Sequence, residues 1–135
     1  MREILFRGKR VDNGEWVEGS LVIGNNYNFI ITAEDYQDVV ATQSALVCES
    51  HPIEKDNTTI GQYTGLTDKN GKKIFEGDIV KVCLPYADLT CIVGWEGCSF
   101  IIRDIKDSDY TYVLGEGFDI EVIGNIYDNP ELLEV

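Results

Sequence analysis

The stretch QYTGLTDKNGKKIFEGDIVKV, from Gln62 to Val82, holds three glycines and a small positive balance in a chain that is otherwise strongly acidic. Three readings compete for it: a phosphate cradle, a calcium loop, or the turns of a β-structure. A phosphate loop needs GxxxxGK followed by Ser or Thr, between a strand and a helix, so that backbone N–H groups and a helix N-terminus face the anion. Here Gly65, Gly71 and Gly77 are spaced by six, Lys72 is followed by Lys73, and a β run comes next. A calcium loop of the EF-hand type needs glycine at its sixth position, whereas a loop opening at Asp68 has Gly71 fourth, then Lys72 and Lys73. Two ammonium groups there would repel the ion. The turn reading remains. Asn70-Gly71 forms one tight turn, Glu76-Gly77-Asp78 a second, and Ile79 to Val82 the strand they feed.

The same pattern extends in both directions. Short runs of Val, Ile, Tyr, Phe and Thr are separated about every eight to twelve residues by Gly, Asn or Asp, which is the pattern of an antiparallel β protein. It predicts strands near Glu3–Arg7, Glu15–Ile23, Tyr27–Thr32 and Leu46–Glu49, then Asp78–Leu84, Thr90–Trp95, Ser99–Arg103, Tyr110–Leu114 and Ile120–Ile126. Asn13-Gly14, Asn25-Asn26, Asn70-Gly71 and Glu96-Gly97 carry the hairpin chemistry between them. Residues 33–45 fit either a helical turn or an irregular loop. At the far end, Asp128-Asn129-Pro130-Glu131 joins a capping residue, a proline and an acid, which predicts one closing turn of helix.

A weak internal repeat accompanies these turns. Phe6, Gly8, Asn13 and Gly14 match Tyr63, Gly65, Asn70 and Gly71 at an offset of 57, and Glu18-Gly19 matches Glu76-Gly77 after one inserted residue. It reads equally as a duplicated module or as turn glycines shared by any two hairpins. The expected organisation is an N-terminal β-unit over residues 1–58 and a C-terminal one over 59–135, packed together, all-β and mainly antiparallel with little helix.

Charge and composition narrow the function. The chain has 135 residues and a net charge of −13, from 24 acids and 11 bases. Residues 86–135 carry eleven acids against Arg103 and Lys106. That half would repel a phosphate backbone, whose binding depends on Lys and Arg displacing counterions, so direct nucleic-acid binding is not expected. No run approaches the roughly eighteen apolar residues of a membrane span, and the charged start MREILFR offers no signal-peptide core. Cys48, Cys83, Cys91 and Cys98 form no CxxC pair and read as reduced thiols of a cytoplasmic protein.

No complete catalytic or ligand set emerges. His51 stands alone, and Cys48-x-x-His51 lacks a second ligand pair for zinc. No cysteine sits in an electropositive setting that would favour its thiolate. Asp104, Asp107 and Asp109 with Lys106 read as a solvated loop between strands. The expectation is therefore no enzyme, no catalytic residues, no cofactor and no metal.

QYTGLTDKNGKKIFEGDIV, followed by FDIEVIGNIYDNPELL (118–133), resembles the paired signature stretches of the YopX family of phage and prophage proteins, and FRGKRVDNGEWVEG (6–19) resembles the family's opening. Residues 25–58 and 85–115 match it only loosely. The resemblance implies a small, mostly β protein carried by phages, whose C-terminal part is a small SH3-like barrel. It brings no established activity and no catalytic residues. In small barrels of that kind loop-borne aromatics often line a peptide groove. Tyr86, Trp95, Tyr110 and Tyr112 are the corresponding candidates here, with core packing as the alternative for each. The expected role is a non-enzymatic protein-binding or assembly module with a host or phage protein partner, open to homo-oligomer formation. The alternative is an acidic mimic of nucleic acid that inhibits a host DNA- or RNA-handling enzyme.

Overall fold

The computed structural model describes residues 3–11, 13–23, 28–32, 52–53, 59–107, 109–115 and 117–134. The expected strand at Leu46–Glu49, the segment 33–45 and the Asn25-Asn26 turn lie outside them. The described residues form eleven strands and one 3-10 turn, paired antiparallel throughout, in two compact units, Met1–Gln62 and Tyr63–Val135.

In the first unit, β1 (Phe6–Lys9), β2 (Trp16–Ile23), β3 (Asn28–Ile31) and β4 (Pro52–Ile53) pair in sequence order. On its other side β1 pairs with Gly61 and Gln62 at the start of β5 (Gly61–Thr67). The β1–β2 connection is the expected Asn13-Gly14 turn, where Asn13 Oδ1 accepts the Glu15 N–H at 3.0 Å. Lys9 N–H reaches Thr59 Oγ1 at 2.8 Å. In β2, Gly19 has no room for a side chain, because a Cβ there would collide with the carbonyl oxygen of Ile31 on β3.

The second unit begins with the rest of β5, hairpinned onto β6 (Lys73–Phe75). The remaining strands are β7 (Asp78–Cys83), β8 (Asp88–Glu96), β9 (Ser99–Asp104), β10 (Thr111–Val113) and β11 (Asp119–Asn125), in the order β10-β9-β8-β7-β11. The period of two explains the core. Val80 and Val82, Cys91 and Val93, Phe100 and Ile102, with Leu114 and Ile120, share one face and cluster with Ile74 of β6. The five-stranded sheet is open, since β10 and β11 are its two ends and do not pair with each other, so hydrogen bonding does not close the expected barrel.

Three expectations are revised. The Gln62–Val82 stretch is more than turns feeding one strand: its first residues are themselves β5, and the strand survives its glycine through a bulge. Gly65 takes φ +90, where Tyr63 pairs with Phe75 and Thr67 with Lys73. The closing turn over Pro130–Leu133 exists, but Asn129 makes no side-chain cap to it; its Oδ1 instead accepts the Asn125 N–H at 3.2 Å. The repeat is only partly structural: both copies give strand, Asn-Gly turn, strand, yet Glu18-Gly19 lies inside β2, whereas Glu76-Gly77 is a turn.

Candidate functional site

The motif-like stretch is used up by the fold. Asp68, just past β5, is buried, and its carboxylate accepts three backbone N–H groups: Asn70 and Lys72 at Oδ1 and Val122 of β11 at Oδ2, each at 2.9 Å. Burial would raise this carboxyl, but the amides of Val122, Lys72 and Asn70, with the Lys72 charge, hold it below its ordinary value of 3.8. Lys69 N–H donates to the Ile120 carbonyl at 3.0 Å, so the loop is tied to β11 twice. Asp78, almost fully buried, accepts the Phe75 N–H at 2.8 Å and fixes the second turn. Gly77, at φ +87, donates its N–H to Val93 and accepts from Ile126, and a Cβ on it would stand 3.2 Å from the Tyr127 ring. Gly124 leaves a gap into which Asn129 Oδ1 fits, 2.6 Å from where a Cβ would be. The two signature stretches thus hold each other together through Asp68 and the backbone of Lys69.

Cys83, Cys91 and Cys98 are free. Burial, with Asp104 nearby, pushes the Cys91 thiol up to about 11, and burial followed by Asp88 and Asp119 raises Cys83. Both shifts oppose a nucleophilic thiolate. Among the described residues no three His, Cys, Asp or Glu side chains converge as metal ligands, and no helix is long and apolar enough to cross a membrane. Cys48 and His51 lie outside those residues. Of the C-terminal acids, Asp88 pairs with Lys81, Glu121 with Lys69 and Glu96 with Arg103. Asp104 corrects the expected solvated loop: it ends β9 on the core side, is buried, and accepts the Lys106 N–H at 3.2 Å, while Asp107 and Asp109 remain exposed.

The four aromatic candidates separate. Tyr86, in the β7–β8 connection, is 79% exposed and Tyr110, at the entry to β10, is 54% exposed. Tyr112 of β10 is half-buried, with its ring 6.2 Å from Phe118. Burial raises its hydroxyl first, and Tyr86 and Tyr110 raise it further. Trp95 stands apart at the far end of β8, half exposed, edge-on to Phe100 with centroids 4.7 Å apart. Sequence reasoning missed Val113, 64% exposed on the terminal strand, because alternation alone does not say which strand ends a sheet.

Beside β10 and β11 lies a cavity of about 330 Å³, lined by Leu66, Ile74, Leu114, Gly115, Phe118 and Ile120 among others. A second, of about 350 Å³, lies over the outer sheet face at Ile92, Gly94, Ile101 and Leu133.

Comparison with known proteins follows the fold. The structure superposes on protein yopX from Bacillus subtilis with a TM-score of 0.58 at 21% identity, covering 100% of this chain and 98% of that one. It also superposes on protein EF1440 from Enterococcus faecalis with a TM-score of 0.52 at 21% identity, covering 99% and 100%. No curated protein matches it in sequence. The sequence matches the YopX protein family over residues 5–134, nearly its whole length, and the chain is a member of that family.

Proposed function

We propose that this protein is a phage- or prophage-encoded module that acts in the cytoplasm of the bacterial host by binding or assembling other proteins, without catalysis and without a cofactor. The observation that carries the reading is the exposure of Tyr86 in the β7–β8 connection, of Tyr110 at the entry to β10 and of Val113 on β10, the terminal strand of the five-stranded sheet. Large apolar side chains are costly to leave in water, and such side chains recur at protein interfaces. YopX membership supports the origin. The mimic reading is weaker, because Asp88, Glu96 and Glu121 are ion-paired and Asp104 is buried, which breaks up an array of free negative charge.

The test is partner capture from nuclease-treated host lysate at low and high salt, with the tagged chain and with a Tyr86→Ser/Tyr110→Ser variant. The module reading expects a partner that the double substitution releases. A nucleic-acid enzyme that is held by both proteins and lost only at high salt would replace it with the mimic.

A further inference from the structure

β10 is the terminal strand of its sheet, and its hydrogen bonds fix which backbone groups are used. Leu114 donates to the Phe100 carbonyl at 2.9 Å, and the Tyr110 carbonyl accepts from Asp104 at 3.0 Å. In an antiparallel ladder, residues facing the partner strand alternate with residues whose N–H and C=O face away. Tyr110, Tyr112 and Leu114 therefore face β9, and both backbone groups of Val113 point outward, where no further strand follows among the described residues. Such an edge is a template for another chain.

Two further observations select the occupant. The cavity of about 330 Å³ lies just past Val113, with Leu114, Gly115 and Phe118 on its wall. A strand laid against Val113 would send its alternate side chains to the face that Tyr112 and Leu114 occupy, toward that cavity. Asp107, Asp109 and Asp119, which flank β10 in sequence, are exposed, while Arg103 of the neighbouring β9 is tied to Glu96 and Thr111. A second copy would bring the same acids against its own, so two β10 edges repel each other. A cationic chain is attracted.

We infer that β10 accepts an extended, lysine- or arginine-rich segment of a partner protein as an added strand, hydrogen-bonded to the backbone of Val113, with one aliphatic side chain in the cavity beside Leu114. This rests on the protein-contact reading and names the chemistry of its partner.

The probe is a capped heptapeptide of alternating Lys and Val, titrated into the isotope-labelled full chain and followed by amide shifts. Three controls accompany it: the Glu–Val counterpart, the Lys–Val peptide with alternate amides N-methylated, and the chain carrying Val113→Pro. Proline is tolerated where an edge N–H faces outward, so this variant removes the donor and keeps the fold. Gly115→Gln is a second variant, since a Cβ at Gly115 meets nothing within 4 Å and its side chain would obstruct the cavity. Shifts centred on Tyr112 to Gly115 are expected with the Lys–Val peptide, weakened roughly fivefold by N-methylation or Val113→Pro, as the loss of one modest hydrogen bond in each case implies. No binding, equal binding of the Glu–Val or N-methylated peptide, or shifts centred elsewhere would overturn the inference. If the peptide fails while Tyr86→Ser/Tyr110→Ser still releases a captured partner, the strand-addition inference falls and the contact reading stands; if that release also fails, both fall.

Discussion

The loop after β5 and the edge at β10 are both short segments of the second unit, but they leave their backbones in opposite conditions. In the loop, one buried carboxylate takes the N–H groups of Asn70, Lys72 and Val122, and Lys69 completes a second tie to β11. At β10, the donor and acceptor of Val113 face away from the sheet, and its side chain is exposed. The first region carries the most motif-like residues in the chain, and its loop amides are bonded within the fold. The second has no motif and keeps its bonding capacity. Recognisable sequence in this protein therefore marks where the backbone is most constrained, and outward-facing backbone groups lie where the sequence is ordinary.

This contrast can be broken by substitution, and the expected losses decrease from the loop to the edge. Asp68→Ala removes the acceptor of three N–H groups and should cost about 3 kcal/mol in urea unfolding, with Asp68→Asn losing less because Oδ1 still accepts. The same carboxylate gives an acid limb. Its folded value is lowered, so its contribution is complete above the ordinary 3.8 and disappears as pH falls through the folded value. The wild-type midpoint should drop over that acid range, and in Asp68→Asn that part of the drop should vanish. Gly77→Ala places a methyl at φ +87 against the Tyr127 ring and should cost about 2 kcal/mol. Trp95→Ala removes one edge-on contact from a half-exposed ring and should cost about 1 kcal/mol. Tyr86→Ser/Tyr110→Ser should stay within about 0.5 kcal/mol of wild type, as surface substitutions do, while releasing the captured partner. A large stability loss from the tyrosine pair, or none from Asp68→Ala, would reverse the comparison.

Most of the strands were legible because Val, Ile, Phe and Tyr alternate with polar residues between Asn-Gly and Glu-Gly turns, and alternation is local. Ile79-Val80 and Phe100 to Ile102 depart from it as short continuous apolar runs buried on both faces, legible as strands from their length, β-branched content and bounding turns. β5 was not legible as a strand, because Gly65 interrupts its alternation and only pairing with β6 and β1 makes up for the bulge. Asp68 gave a partial signal: Asp-x-Asn-Gly-Lys is a turn sequence in which a short carboxylate meets the amides two and four residues on. Its third bond, to Val122 54 residues away, has no local trace. Asp104 was misread for the same reason, since an acid at a strand end looks solvated until the core face reaches it. Of the candidate site, the tyrosines were named from composition and loop position, and Val113 was not, because strand order is a property of the whole sheet.

Native-state amide hydrogen exchange tests the central contrast most directly. The account predicts that the amides of Lys72, Phe75 and Val122 exchange only through large-scale opening, whereas Val113, in the same unit, exchanges with little protection. Protection of Val113 equal to that of Val122 would contradict it, showing that the β10 edge is already covered.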